Sequence, residues 1–221
     1  MVLDLGVIDY DDALKLQREL VSKRRSGQIN DSLLIVEHPP VFTIGRSGSR
    51  NNLLAKERYL SNRSIKVINV DRGGDITFHS PGQLVIYPIL DLRVRGKDLH
   101  RYLRDLEEVG MKFLQRYSVP GSRVAGATGV WVLDRKIASI GIAAKDWITY
   151  HGMSLNVNNK LKFFSMINPC GIEGLRMTSL QEILGEEIPM NLAKKALLNE
   201  FNRVFSIEET RSSYELCPIL A

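Results

Sequence analysis

The sequence predicts an α/β fold, and three observations carry the prediction. Residues 98–117 put Leu99, Tyr102, Leu103, Leu106, Val109, Phe113, Leu114 and Tyr117 on one helical stripe, with Arg, Asp, Glu and Lys opposite. Residues 83–92 form a run that is apolar on both faces, the pattern of a central strand. Residues 129–156 alternate short β-rich runs with turns, the pattern of a meander. At 221 residues, 44% hydrophobic and 25% charged, the chain is long enough to bury a full core, and one domain over residues 1–221 is expected.

In chain order, Ala13, Leu16, Leu20 and Val21 recur at helical spacing over residues 11–25, and Gly27 closes that helix. Residues 33–37 read as a buried strand stopped by His38-Pro39-Pro40, and residues 41–44 as a second strand. A polar loop rich in Gly, Ser, Arg and Asn follows over 45–52, and a strand over 65–70 enters the turn Arg72-Gly73-Gly74. Ser80-Pro81-Gly82 then turns the chain into the central strand. Asp98 suits the N-cap of the long helix, which Pro120-Gly121 terminates. The meander reads as 130–133, a turn at Asp134-Arg135, then 136–142, a turn near Lys145-Asp146, then 148–151 and 155–157. Residues 163–177 look irregular; 179–184 suit a short helix and 192–205 a longer one capped by Asn191. The final dozen residues carry no strong pattern, and the chain shows no internal repeat, low-complexity tract or linker.

The formal charge is +5. Basic residues are scattered, with Lys23-Arg24-Arg25 the one dense block, so an acidic protein partner explains the charge as well as nucleic acid does. No apolar run approaches the roughly 20 residues of a membrane span, and MVLDLGVIDYDD lacks the basic-then-apolar order of a signal peptide. The two cysteines, Cys170 and Cys217, are too few for a disulfide framework and point to a reducing cytoplasm.

The stretch from Asp71 to Leu92 sets two glycine turns around His79. Gly73 and Gly74 suit a loop that wraps a substrate, because glycine allows positive φ and close approach; a hairpin turn with a solvated histidine is the alternative. A free cysteine usually behaves as a small hydrophobe. Cys170, however, sits in the turn Asn168-Pro169-Cys170-Gly171, where the following glycine leaves backbone amides free to approach a carbonyl oxygen. Cys217, near the terminus, has no such setting. A cysteine nucleophile needs a base or a nearby positive charge, and the sequence offers His79, His151 and Lys136. Lys136 heads an otherwise apolar strand. It is either a lysine held partly out of water or a turn-edge lysine facing solvent, and the apolar Ile137 leaves the alternation undecided. His38 and His100 read as structural or solvated. No His, Cys and carboxylate set has metal-ligand spacing, and no GK[ST] or GxGxxG loop supports nucleotide use.

Four blocks in order resemble the lipoyl(octanoyl) transferase family of lipoate biosynthesis. They are His38-Pro39-Pro40-Val41-Phe42-Thr43; Arg72-Gly73-Gly74-Asp75-Ile76-Thr77-Phe78-His79 with Pro81-Gly82-Gln83; Gly129-Val130-Trp131 with residues 135–141; and His151-Gly152-Met153-Ser154-Leu155-Asn156 leading to Asn168-Pro169-Cys170-Gly171. The resemblance spans roughly residues 33–180. It implies an α/β fold with a mixed β-sheet flanked by helices, like the catalytic domain of biotin and lipoate protein ligases. It further implies that Cys170 takes octanoyl from octanoyl-acyl carrier protein as a thioester and passes it to a lysine of a lipoyl domain, with Lys136 activating the thiol and moving the proton. The acceptors implied are lipoyl domains of 2-oxoacid dehydrogenase complexes or the glycine cleavage H protein. Residues Arg72 to His79, Ser139, Ile140 and Gly141, and His151, Gly152, Met153 and Ser154 would line the acyl pocket. No cofactor or metal is implied, since a thioester arrives activated. An ATP-dependent lipoate or biotin ligase on the same fold is the alternative activity.

Overall fold

The computed structural model describes residues 1–207. Its elements are β1 (Val2–Val7), α1 (Tyr10–Arg25), β2 (Ser32–Glu37), β3 (Val41–Ile44), α2 (Glu57–Ser61), β4 (Lys66–Asn69), β5 (Ile76–His79), β6 (Gln83–Ile89), α3 (Leu99–Gln115), β7 (Ser122–Val124), β8 (Ala127–Val132), β9 (Arg135–Lys145), β10 (Ile148–Asn156), α4 (Leu180–Leu184) and α5 (Met190–Val204). The large sheet runs β1-β2-β6-β10-β9-β8-β7 and a small one runs β4-β3-β5. Both are mixed: β1 lies parallel to β2, and β4 parallel to β3, while their other pairings are antiparallel.

The β6 run is apolar on both faces because helices cover both. Leu84 and Ile86 join the cluster under α3 and α5, with Leu106, Phe113, Leu197 and Phe201. Val85, Tyr87 and Ile89 join the cluster under α1, with Ala13, Leu20 and Val21. The small sheet has its own core around Phe42, Ile76 and Phe78, closed by Phe164 and Ile167. Asp98 caps α3 by accepting from the Arg101 N–H at 2.9 Å.

Several boundaries differ from the sequence expectation. β1 was not expected: VLDLGV breaks its apolar alternation with Asp4 and Gly6, as an edge strand can. β5 and α2 fall in stretches to which the sequence assigned no element, and β7 is a three-residue edge strand. The last helix starts at Met190 behind Pro189, not behind Asn191, consistent with proline's fixed φ and missing N–H at a helix start. β10 is continuous through Gly152 and Ser154, with a local kink at His151 (φ 55°). Among the described residues no helix is long and apolar enough to cross a membrane. The final dozen residues and Cys217 lie outside the described residues.

Candidate active site

The site forms where the head of β9 meets the turn at 169–171. Lys136 is 2% exposed, and its Nζ donates to Cys170 Sγ at 3.2 Å. Two backbone bonds seat it: Lys136 N–H donates to Arg176 O at 2.9 Å, and Lys136 O accepts from Thr178 N–H at 3.0 Å. The pairing of β9 with β8 explains why alternation could not orient this lysine. Trp131 faces Lys136 while Val130 faces Ala138, so Ile137 is the extra residue of a β-bulge. Ile137 and Ala138 therefore enter the same core cluster, while Lys136 Nζ lies 5.4 Å from the Trp131 ring centroid.

Gly129 makes room for that passage. A Cβ there would stand 2.4 Å from Lys136 Cε and 2.5 Å from Ala138 O, at a φ of +138°. The Gly129 N–H is held by buried Glu107 on α3, whose Oε1 accepts it at 3.0 Å. Gly129→Ala is therefore expected to displace the lysine and, if Lys136 takes part in the chemistry, to lower activity on the order of 100-fold, as small misplacements of reacting groups do. Activity assayed beside circular dichroism checks this; a folded variant with wild-type activity would show that the passage is not needed.

Cys170 occupies the left-handed region (φ 58°, ψ 17°), uncommon for a residue with a side chain and concentrated at functional sites. The turn is held by Asn168 N–H donating to Asn52 O at 2.8 Å and Gly171 N–H donating to Asn168 O at 2.9 Å. The Gly171 amide is thus committed to the turn and is not the free donor that the sequence suggested. Asp75 braces the same region. Its carboxylate accepts from Asn52 Nδ2 at 2.7 Å, Ser49 N–H at 3.2 Å and Ile76 N–H at 2.6 Å.

Of the residues singled out in the stretches 72–79, 139–141 and 151–154, all but Gly73 and Phe78 border one cavity that Cys170 also borders. Phe78 is buried on the opposite side of β5, 4.7 Å from the Phe42 ring and 4.9 Å from Phe163. Gly74 takes a positive φ of 83°, as glycine turns allow, whereas Gly73 has no such φ and a Cβ there would meet only ordinary contact. Tyr10, Val85 and Tyr87 also line the cavity; their spacing in α1 and β6 gives no sign of it. The cavity is about 50 Å³, well below the roughly 150 Å³ that holds benzene in an engineered core. A ligand larger than a few atoms therefore needs side-chain movement to enter, for which the unbranched Met153 is suited.

The walls are mainly apolar, with a few buried polar side chains set among them. Arg72 is buried, which lowers its pKa, and its guanidinium donates to Thr43 O at 2.7 Å, Thr43 Oγ1 at 2.9 Å and Gly73 O at 3.0 Å. Burial pushes His79 well below its usual 6.5 and His38 and His151 down to about 4. His151 Nε2 donates to Asp71 Oδ1 at 2.8 Å. Burial works against the Asp71 charge, but bonds from His151 and Tyr150 outweigh it and bring that carboxyl to about 2. His38 donates from Nδ1 to Ile8 O and accepts at Nε2 from the Tyr87 hydroxyl, both at 2.7 Å, a structural role. His100 is exposed.

Three histidines that are neutral when folded take up protons when unfolded. The unfolded state thus binds more protons below about pH 6.5, and stability falls as pH drops toward about 4. The urea midpoint is expected to fall over that window; an unchanged midpoint would contradict the neutral assignments.

The chain matches the family described as the lipoyl protein ligase A/B catalytic domain over residues 9–202. It is 50% identical to an octanoyltransferase of Rubrobacter xylanophilus over 201 residues, 90% of each chain. It is 48% identical to an octanoyltransferase of Syntrophotalea carbinolica over 200 residues, 90% of this chain and 92% of that one. Its fold is similar to a bipartite lipoate protein ligase from Thermoplasma acidophilum, with TM-score 0.71 at 14% identity over 93% of this chain and 84% of that one. It is also similar to a biotin protein ligase from Aquifex aeolicus solved with biotin and ATP, with TM-score 0.57 at 13% identity over 96% and 72%. On the match over 9–202 and these identities, the chain belongs to the lipoyl protein ligase A/B catalytic domain family.

Proposed function

We propose that the chain is a cytoplasmic octanoyltransferase of lipoate biosynthesis. It acts as one catalytic domain that moves octanoyl from an acyl carrier protein to a lysine of a lipoyl domain through a thioester on Cys170. The observation that carries this reading is the 3.2 Å contact between the buried Lys136 Nζ and the Cys170 sulfur. Relatives at 48–50% identity that are octanoyltransferases fix the reaction class.

In the first half, the Cys170 thiol gives its proton to Lys136 and the thiolate attacks the donor thioester carbonyl. The carbon–sulfur bond to the carrier breaks, and the carrier thiol leaves with a proton supplied by Lys136. In the second half, the lipoyl-domain amine attacks the octanoyl-Cys170 carbonyl. An amide forms as the carbon–sulfur bond to Cys170 breaks, the amine proton passes to Lys136, and Lys136 returns it to the Cys170 thiolate. The first half exchanges one thioester for another at similar energy and the second, thioester to amide, runs downhill, so no external energy source enters and one hard step becomes two.

The donor is proposed to dock on the loops around Cys170. Residues 45–63 and 158–177 carry eight Lys and Arg against Glu57 and Glu173, an excess of six beside a formal +5 for the whole chain. An acidic carrier protein fits that field. Its kcat/KM is expected to fall as ionic strength rises from about 0.01 to about 0.15 M, over which the screening length shrinks from about 30 to about 8 Å. A flat dependence would remove the charge from docking.

The reading is tested by supplying octanoyl-acyl carrier protein and a lipoyl domain without ATP. Transfer to the lipoyl-domain lysine is expected, and a requirement for ATP would replace the transferase by a ligase.

A further inference from the structure

Two motif residues, Gln83 and Asn156, and a third, Thr43, touch no part of the dyad, yet all are buried. They belong to a run of hydrogen bonds with one possible direction. The Asn156 amide Nδ2 faces the Thr178 carbonyl at 2.9 Å, and a carbonyl only accepts. The Asn156 oxygen must then face Gln83 Nε2 at 2.9 Å, and it also takes Asn159 Nδ2 at 3.0 Å. Gln83 Nε2 spends its other hydrogen on Phe78 O at 3.1 Å, so the Gln83 oxygen is left for His79 Nδ1 at 2.8 Å. His79 Nδ1 therefore carries the ring proton, and Nε2 presents a lone pair.

The opposite end agrees independently. Arg72 donates to Thr43 Oγ1 from Nη2 at 2.9 Å and from Nε at 3.3 Å, which leaves the Thr43 hydrogen for His79 Nε2 at 3.5 Å. Full burial keeps that ring neutral. Every donor from Arg72 to Asn156 points the same way, ending on Thr178 O. Thr178 N–H in turn donates to Lys136 O, beside the parallel bridge of Met177 with Lys136.

We propose that Thr43, Gln83 and Asn156 are positioning residues of the transfer reaction: they fix His79 as a ring protonated on Nδ1 and hold the 176–178 segment that seats Lys136. His79 is on this account a wall of the acyl cavity and takes no proton during turnover. The functional half of the inference rests on the proposed role of Lys136.

Two measurements on the full chain test it. Nitrogen-15 NMR of the histidine side chains is expected to show His79 in the Nδ1–H tautomer, unchanged from about pH 5 to about pH 8. Thr43→Ser keeps the hydroxyl and should preserve the whole signature, whereas Thr43→Val should shift the Nε2 resonance while the Gln83 oxygen keeps the proton on Nδ1. An Nε2–H tautomer, or titration within that range, overturns the directed run. The second measurement is the rate of iodoacetamide alkylation of Cys170 against pH, with kcat and KM for transfer. Asn156→Asp and Gln83→Glu each put an oxygen where a donor is required. Both are expected to slow alkylation at neutral pH and to lower kcat on the order of 100-fold, with KM within about threefold. If these two variants do not fold, Thr43→Val against Thr43→Ser decides by the same kcat comparison. Folded variants with wild-type alkylation and kcat overturn the coupling to Lys136. Lys136→Ala separates the two claims: if it leaves alkylation unchanged, the dyad reading fails, and the tautomer assignment is judged by NMR alone.

Discussion

A Cys170→Ala enzyme is expected to form no acyl adduct and to lose transfer by on the order of 10⁴-fold or more, the scale on which removal of a covalent nucleophile acts. The loss should come without unfolding. Cys170 is half-buried in a short turn whose backbone bonds run through Asn52, Asn168 and Gly171, and alanine removes only the sulfur. Cys217→Ala should behave as wild type. Transfer measured beside the thermal unfolding midpoint distinguishes a chemical from a structural loss. Substantial transfer by Cys170→Ala would require direct attack of the lipoyl-domain amine on the carrier thioester.

Lys136→Ala and Lys136→Arg are each expected to lower transfer by about 10²–10⁴-fold, the range of a positioned general acid–base group. The two variants separate two roles. Arginine keeps a positive charge near the sulfur but cannot act as a base at neutral pH, and its fork must also pass the wall that Gly129 leaves open. If Lys136→Arg retains transfer while Lys136→Ala loses it, charge near the thiol suffices and no proton moves through this side chain. Equal losses are the result expected for proton transfer. Pre-steady-state acylation and deacylation rates should fall together, since the same nitrogen serves both halves.

How much of this was legible depended on how local the cause was. The α3 stripe and the doubly apolar β6 run are consequences of burial on one face or two, and periodicity records that directly. Cys170 stood out because Asn-Pro-Cys-Gly permits neither helix nor strand, and the chain indeed forms a short turn there. Lys136 did not stand out from its own strand. A bulge at Ile137 breaks the alternation, and bulges follow from pairing with a distant strand. The family resemblance, not the periodicity, singled it out. Phe78 was carried into the pocket by its motif, yet the two-residue repeat of β5 directs it to the small-sheet core between Phe42 and Phe163. Tyr10 and Tyr87 escaped notice, and Thr43 was given no role within its motif block, because each sits in an ordinary amphipathic or apolar run. Only the fold brings α1, β3 and β6 to the cavity wall or its polar backing. The Gly171 amide failed as an oxyanion donor for a local reason: the turn that exposes Cys170 uses that N–H to close itself.

The most direct test of the thioester account is the intact mass of the enzyme after mixing with octanoyl-acyl carrier protein alone, without ATP and without lipoyl domain. The account predicts a gain of one octanoyl group on Cys170, removed by hydroxylamine and discharged onto a lysine when lipoyl domain is added. No mass gain while transfer to lipoyl domain proceeds, or an adduct that survives Cys170→Ala, would contradict it.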